Sequence, residues 1–320
     1  MSPAEAQDVH RHWLQAMACG DFEAAWHQTD RLEVPRRAGR RIPGLDPASY
    51  LRWDGTPLRG QRVLIRCLHG LGDTVQFVRY LPEIRRLAAD VVTLAQPALL
   101  PLLETTPELG EIINGWTDAP PPPHTVEVEI MELPYLFRSH AANLPAQVPY
   151  LNTKGIAAAS SLTVPRLPAH SCHIGLVWAA SSWDSSRSLP LAALAPLQLP
   201  GIEFHSLQQD LLPEDLANSP LPLHPLAHQT SAILDAAAAM LQLDLIITVD
   251  TLAAHLAGAL GRPVWLLLQH HADWRWQRTG DSSPWYPTMR LFRQPSPGDW
   301  ISLIQQMAHA LKDFRSPSSP

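Results

Sequence analysis

Disulfides are the first thing this chain lacks. Its three cysteines, Cys19, Cys67 and Cys172, are scattered through 320 residues and form no CxxC pair. An odd, dispersed set of this kind fits a reduced compartment. Excess basic charge is also missing: 24 Lys and Arg stand against 30 Asp and Glu, a net charge of −6. That balance gives no electrostatic footprint for nucleic acid. No run approaches the roughly 20 uninterrupted apolar residues of a membrane span, and the opening MSPAEAQDVHRHW has no apolar signal region. The expectation is a cytoplasmic protein without a membrane span, with peripheral membrane association left open. Metal-binding patterns are absent as well. There is no Asp-x-Asp, and the adjacent His270 and His271 lack metal-site spacing and a nearby third ligand. We therefore expect no metal and no resident cofactor. Apolar residues, by contrast, make up 46% of a chain long enough for about two domains. Many of the 32 prolines cluster at 120–123, 145–149, 165–168 and 219–225, where they punctuate loops.

Residues 3–33 read as a helical hairpin. Trp13, Leu14 and Met17 share one face, Gly20-Asp21 breaks the pattern, and Phe22, Ala25 and Trp26 restart it. The wording A-C-G-D-F-E-A-A-W is similar to one tetratricopeptide repeat. A single repeat cannot bury a solenoid core, so the hairpin is expected to pack on the main body. Arg36, Arg37, Arg40 and Arg41 follow as a solvated connection. A first α/β domain then begins with strand Val63–Leu68, the turn His69-Gly70-Leu71-Gly72-Asp73, and a helix carrying Val75, Phe77, Val78 and Leu81. Two glycines there permit close backbone approach to a ligand, but Val75 at the third glycine position excludes the dinucleotide fingerprint. Asp73 reads either as a helix N-cap or as a functional acid or base. Strands at 91–95, 112–113 and 126–130 follow. Glu132, in Met131-Glu132-Leu133-Pro134, is expected to be solvated and is assigned no chemistry.

The Ala/Ser/Pro-rich segment 152–170 reads as a linker. A second domain opens with the strand Ile174-Gly175-Leu176-Val177-Trp178, a polar loop and Arg187, then strand Ile202–Leu207 with Gln208-Gln209. Its centre is LDLIITVDTLAAHLAGALGRPVWLLL, residues 243–268. β-Branched runs bounded by turn signals give strand, helix, strand. Asp250 or Thr251 caps the helix, and Gly261 with Pro263 ends it. A helix N-terminus at the carboxyl end of a parallel strand suits a diphosphate. His255 is either a ligand contact or a core histidine. Beyond lies a segment dense in Trp and Arg, and a final helix, Trp300–Leu311, expected to pack across the domain junction.

Asp250-Thr251 followed by His255-Leu256-Ala257 resembles the D-[ST]-x-x-x-H-L-A motif of glycosyltransferase family 9, the heptosyltransferase-like enzymes. HGLGD resembles that family's G-x-G-D motif, and Gly175-Leu176-Val177-Trp178 with Arg187 its G-L-x-W strand and phosphate-contacting basic residue. D-W-R-W, S-P-W-Y-P and R-L-F-R-Q in residues 273–294 are similar to repeat-linked members. The resemblance covers roughly residues 50 to 300. It implies an α/β GT-B fold, two Rossmann-like doubly wound domains facing a cleft. The boundaries expected are 1–50 for the hairpin and linker, 51–151 for the acceptor domain, 152–170 for the connection, 171–313 for the nucleotide-sugar domain and 314–320 for a disordered tail.

The implied activity is inverting, metal-independent sugar transfer from a nucleotide-diphosphate sugar, ADP-heptose-like, to lipopolysaccharide, another glycan, or a protein such as flagellin. Asp73 would be the catalytic base. Arg187, Asp250, Thr251, His255, Gly175, Trp178 and Gln208 would serve the donor. His69, Gly70, Gly72, Trp274 and Trp276 would line the acceptor side. Trp274, Trp276 and Trp285 read equally as stacking platforms or as wedges holding a long loop. Ala180, where relatives carry Gly, is a departure that crowds the donor loop. A non-catalytic nucleotide-binding module is the alternative, and a dehydrogenase is disfavoured by the missing glycines.

Overall fold

A computed structural model describes residues 2–37, 53–165, 171–209, 213–226 and 229–314. Arg40, Arg41, the end of the expected linker (166–170) and residues 315–320 of the expected tail lie outside the described residues, as does the expected boundary at 50/51. The chain folds as two compact units, residues 1–146 with 273–280, and residues 147–272 with 281–320.

The first unit begins with the hairpin. Helix α1 (Pro3–Ala18) starts from a reciprocal cap between Ser2 and Glu5, and Gly20 at φ +76° turns the chain into α2 (Phe22–Arg37). Val9, Met17, Phe22, Ala25 and Trp26 are buried, whereas Leu14, expected on that face, is exposed. Trp26 Nε1 donates to the Ser139 carbonyl at 2.7 Å and Tyr135 Oη donates to Asp30 at 2.7 Å, so the hairpin docks on the rest of its unit. A parallel sheet follows: β1 (Arg62–Arg66), β2 (Asp90–Ala95), β3 (Glu111–Asn114) and β4 (Val126–Glu129), in the order β3-β2-β1-β4. Its helices are α3 (Leu71–Phe77), α4 (Leu81–Leu87), α5 (Leu100–Leu103) and α6 (Leu133–Leu136).

The second unit carries α7 (Thr153–Ala159), β5 (Cys172–Val177), β6 (Ile202–Ser206), α8 (Pro213–Ala217), β7 (Leu223–Pro225) and α9 (Ile233–Leu241). It continues with β8 (Leu245–Val249), α10 (Leu252–Ala259), β9 (Val264–Leu268), β10 (Met289–Arg293) and α11 (Trp300–Asp313). Its parallel sheet runs β10-β9-β8-β5-β6-β7. Every residue of β8 and β9 is buried, as expected of central strands covered on both faces.

The segment read as a linker is folded over 153–159: Asn152 caps α7, Ile156 is buried, and Ser160 Oγ donates to Asp235 on α9 at 2.6 Å. The final helix buries Leu303, Ile304, Met307 and Leu311 in the core of its own unit with Leu189, Leu194 and Leu197.

Both sheets reverse their winding once, between β1 and β4 in the first and between β5 and β8 in the second. In open parallel sheets, ligands lie outside the carboxyl ends of the strands at such a reversal. The four loops to inspect are therefore those following β1, β4, β5 and β8.

Candidate functional site

The carboxyl ends of β1 and β4 are in register, with Arg66 beside Glu129. From β1 the chain passes through Cys67, Leu68 and His69 to Gly70, and α3 starts at Leu71. Gly72 and Asp73 therefore lie inside the first helical turn rather than in a loop. Asp73 Oδ2 accepts the Gly70 N–H at 2.9 Å, so the bland N-cap role is real. A β-carbon on Gly70 would sit 3.2 Å from that oxygen, so the close approach this glycine allows is to Asp73. Thr74 Oγ1 donates to Gln96 Oε1 at 3.0 Å and Gln96 Nε2 to the His69 carbonyl at 2.9 Å, pinning the turn from behind.

Asp73 does more than cap. Its Oδ1 is 2.5 Å from Arg275 Nη2. The guanidinium is nearly buried, donates Nε to Gln76 Oε1 at 2.8 Å and Nη1 to Asp273 at 3.0 Å, and lies 4.5 Å from the Trp274 ring centroid. The fork is thus fully organised. The hairpin supports the segment that delivers it. Trp13 packs edge-on to Trp274 at 5.3 Å, Arg278 N–H donates to the Ala18 carbonyl at 2.8 Å, and the bare Cα of Gly20 makes room for Gln277.

Beside Asp73 lies Glu129, the last residue of β4. It is buried, its Oε2 accepts the Met131 N–H at 2.7 Å, and its Oε1 is buried with no hydrogen-bond partner among the described residues. Burial pushes its carboxyl up to about 7, with the neighbouring charges of Glu132 and Asp73 adding to the rise against the Met131 and Leu68 N–H groups. His69, half exposed, faces it with Nε2 3.8 Å from Oε2. The Cys67 thiol is likewise pushed up to about 12 by burial. Glu132, expected in solvent, is instead buried. Its Oε2 accepts the N–H groups of Trp53 and Glu129, both at 3.1 Å, a structural duty that leaves it without assigned chemistry.

In the second unit the loops after β5 and β8 come together. Arg187 ends a 3-10 turn, Ser182–Arg187, and donates Nη1 to the Asp250 carbonyl at 2.8 Å, while its Nε lies 3.3 Å from Asp184. Thr251 is the N-cap of α10, but its hydroxyl turns back to the Val249 carbonyl at 3.3 Å and makes no capping hydrogen bond. Gln208 accepts the N–H groups of Trp178 and Ala179 at 3.2 and 2.9 Å and donates to the Ala179 carbonyl at 3.2 Å, so it shapes the loop after β5. Ala180 N–H is taken by Ser188 Oγ at 2.9 Å. Burial pulls the Arg293 guanidinium, at the carboxyl end of β10, below its ordinary value.

Five of the residues expected at the ligand sites are buried. Gly175 lies mid-strand, where a β-carbon would stand 2.8 Å from Ile246 and Leu207 and 2.9 Å from Leu243, so its bareness serves packing. Trp178 belongs to the core. His255 is buried and hydrogen-bonded through Nδ1 to Tyr286 Oη at 3.0 Å. Trp276 and Trp285 are fully buried wedges, so neither presents a face for stacking, whereas Trp274 stays partly exposed. Among the described residues no group of three or more His, Cys, Asp or Glu is placed to hold a metal ion, and no helix is long and apolar enough to cross a membrane.

No known family model matches the chain. Among solved structures, a glycosyl transferase family 9 protein from Veillonella parvula superposes with a TM-score of 0.53 at 12% identity, covering 82% of this chain and 92% of that one. The fold is that of glycosyltransferase family 9. An E. coli ADP-heptose lps heptosyltransferase II also gives a TM-score of 0.53, at 16% identity over 79% of this chain and 98% of its own. A curated relative, Protein FlbA of Caulobacter vibrioides, is 29% identical in a 302-residue alignment covering 86% of this chain and 49% of the relative. The chain thus spans about half the length of that relative. The sequence singled out Asp73, Arg187 and Asp250, and the structure joins the last two by a hydrogen bond; Arg275 and Glu129, which lie beside Asp73, were not singled out. For Arg275 the signal was present in D-W-R-W. For Glu129 it was an acidic residue closing an apolar strand at the winding reversal.

Proposed function

We propose that this chain transfers a sugar from a nucleoside-diphosphate sugar to a hydroxyl of a glycan or protein acceptor, with inversion and without a metal. The observation that carries the reading is the Arg187 contact to the Asp250 carbonyl just before the start of α10. It assembles a guanidinium and helix N–H groups at a winding reversal, on a fold shared with family 9 enzymes. The departing diphosphate would gather its charge there, stabilised by preorganised donors in the role a metal plays elsewhere. In the first unit the acceptor oxygen would attack the anomeric carbon while its proton passes to Asp73. The carboxylate already accepts from Arg275 and Gly70, and its remaining lone pairs have room for that proton.

ADP-heptose is the first donor to try, followed by UDP-, GDP- and CMP-sugars, with nucleotide release and sugar transfer read separately in EDTA and in magnesium. Loss of a general base lowers turnover by about 10²–10⁴-fold, the fall expected for Asp73→Ala. For Arg187→Ala we expect a loss of about 10²-fold or more, with weaker donor binding. Wild-type rates in both variants would refute the assigned roles. Nucleotide binding without release or transfer would establish the non-catalytic alternative.

A further inference from the structure

Asp73 is not the only carboxyl at the carboxyl end of the first sheet. Glu129 closes β4, whose last residue lies in register with the last residue of β1, and the Asp73 turn leaves the sheet from β1. The groups around Glu129 come from each neighbouring element. Cys67 and His69 follow β1, Asp73 lies on α3 with Arg275 bound to it, and Glu132 lies in the turn after β4. Glu132 is occupied by two backbone N–H groups and Asp73 by a guanidinium, whereas among the described residues no Arg or Lys pairs with Glu129. Its Oε1 is sealed from solvent with no partner among the described residues, and the half-exposed His69 stands with Nε2 3.8 Å from its Oε2. A carboxyl left this way, hydrogen-bonded to backbone but not neutralised, is poised to gain and lose a proton where its charge is felt by its neighbours.

We infer that Glu129 is a positioning residue for the Asp73 turn, a buried carboxyl whose ionisation governs how strongly the site draws a proton from the acceptor hydroxyl. The inference rests on the transferase reading for its functional consequence, though not for its electrostatic content. When Glu129 carries its proton, the turn holds a single carboxylate beside Arg275. When it loses that proton, a second negative charge stands next to the first, and the pair together attracts a proton more strongly. The proton passes between Glu129 and bulk solvent. Titration of Glu129 lies near neutrality, so the control operates within the ordinary working range of pH.

Two measurements test this on the full chain. Carbon-13 carboxyl spectra of the wild type, Glu129→Gln and Asp73→Asn assign both signals and follow them from pH 5 to pH 9. We expect the Glu129 signal to titrate near neutral pH, and the Asp73 signal to respond over the same interval in the wild type but not in Glu129→Gln. Transfer rate at saturating donor should rise by roughly five- to tenfold across that interval in the wild type, on the scale of a pair of charges in a partly screened site. In Glu129→Gln it should stay flat. A Glu129 signal titrating with the surface carboxylates, an Asp73 signal indifferent to Glu129, or identical pH–rate profiles in both proteins would each overturn the inference. If no donor is turned over yet the two carboxyl signals remain coupled, the transferase reading fails and the electrostatic link stands.

Discussion

Replacing Glu129 with Gln gives a stability measurement that needs no substrate. Its carboxyl rises from an ordinary 4.5 to about 7 in the fold because burial disfavours the charged form. A gap of that size corresponds to about 3 kcal/mol between the two protonation states. Because the folded value is the higher one, the native protein binds more protons than the unfolded chain between those two pH values. Stability contributed by the neutral acid is therefore complete below about 4.5 and is lost as pH rises through 7, after which the penalty is constant. The side chain is only 8% exposed, so solvent screening reduces this little. Gln resembles the neutral acid at every pH, apart from an amide N–H facing the position of the unpartnered Oε1, which costs about 1 kcal/mol. The variant should thus match or fall slightly below the wild type at pH 5 and exceed it by about 2 kcal/mol at pH 8, a gap of about 4–8 °C in melting midpoint. Scanning fluorimetry of both proteins across that range reads the gap directly. A difference between them that does not change with pH would mean that Glu129 is already ionised in the fold at pH 5, and the reasoning would fail.

Arg275→Ala should destabilise the first unit by about 2–3 kcal/mol, toward the lower end for a broken buried pair because Asp73 keeps some solvent. Arg275→Lys, which keeps the charge without the fork, should recover part of the stability and less of any transfer activity. Urea unfolding and donor turnover on the two variants separate those effects. Tyr286→Phe removes the hydroxyl bonded to His255 and should cost about 1–2 kcal/mol in thermal unfolding while leaving donor affinity unchanged. A marked loss of nucleotide binding would instead restore His255 to the donor site.

Most of the scaffold was legible because its signals are local. The β8–α10–β9 segment declares itself through a β-branched run, small residues and a Gly–Pro stop, and the structure places those elements within a residue or two of the expected bounds. The pairing of Arg187 with Asp250 was legible only through motif resemblance, since 63 residues separate them. Burial, by contrast, is a property of the assembled fold and is harder to read. Gly175, Trp178 and His255 sit in motifs beside the expected donor loops, and in the structure each is packed or holds a buried hydrogen bond. Ala/Ser/Pro composition at 152–165 resembles a linker, yet Ser160 and Gln242 supply tertiary hydrogen bonds that hold it against α9. Glu129 and Glu132 stand three residues apart with opposite fates. One accepts two backbone N–H groups; the other is left with a sealed, unpartnered oxygen.

The N-terminal hairpin and the Trp/Arg-rich segment, far apart in the chain, make sense as one device. The hairpin offers that segment a rigid edge, with Trp13 against Trp274, the Ala18 carbonyl against Arg278, and Gly20 where a side chain would strike Gln277. Gln277 itself stands at φ +59°, a conformation non-glycine residues rarely adopt, and the flanking contacts supply the support such a turn requires. Between those anchors the chain projects Arg275 onto Asp73 and Gln76. The guanidinium that organises the Asp73 carboxylate is therefore held by residues 13–20 as much as by its own segment. The D-W-R-W wording and the short hairpin accordingly belong to the same structural requirement: a carboxylate at a winding reversal, held in place by an arginine that the sheet itself does not provide.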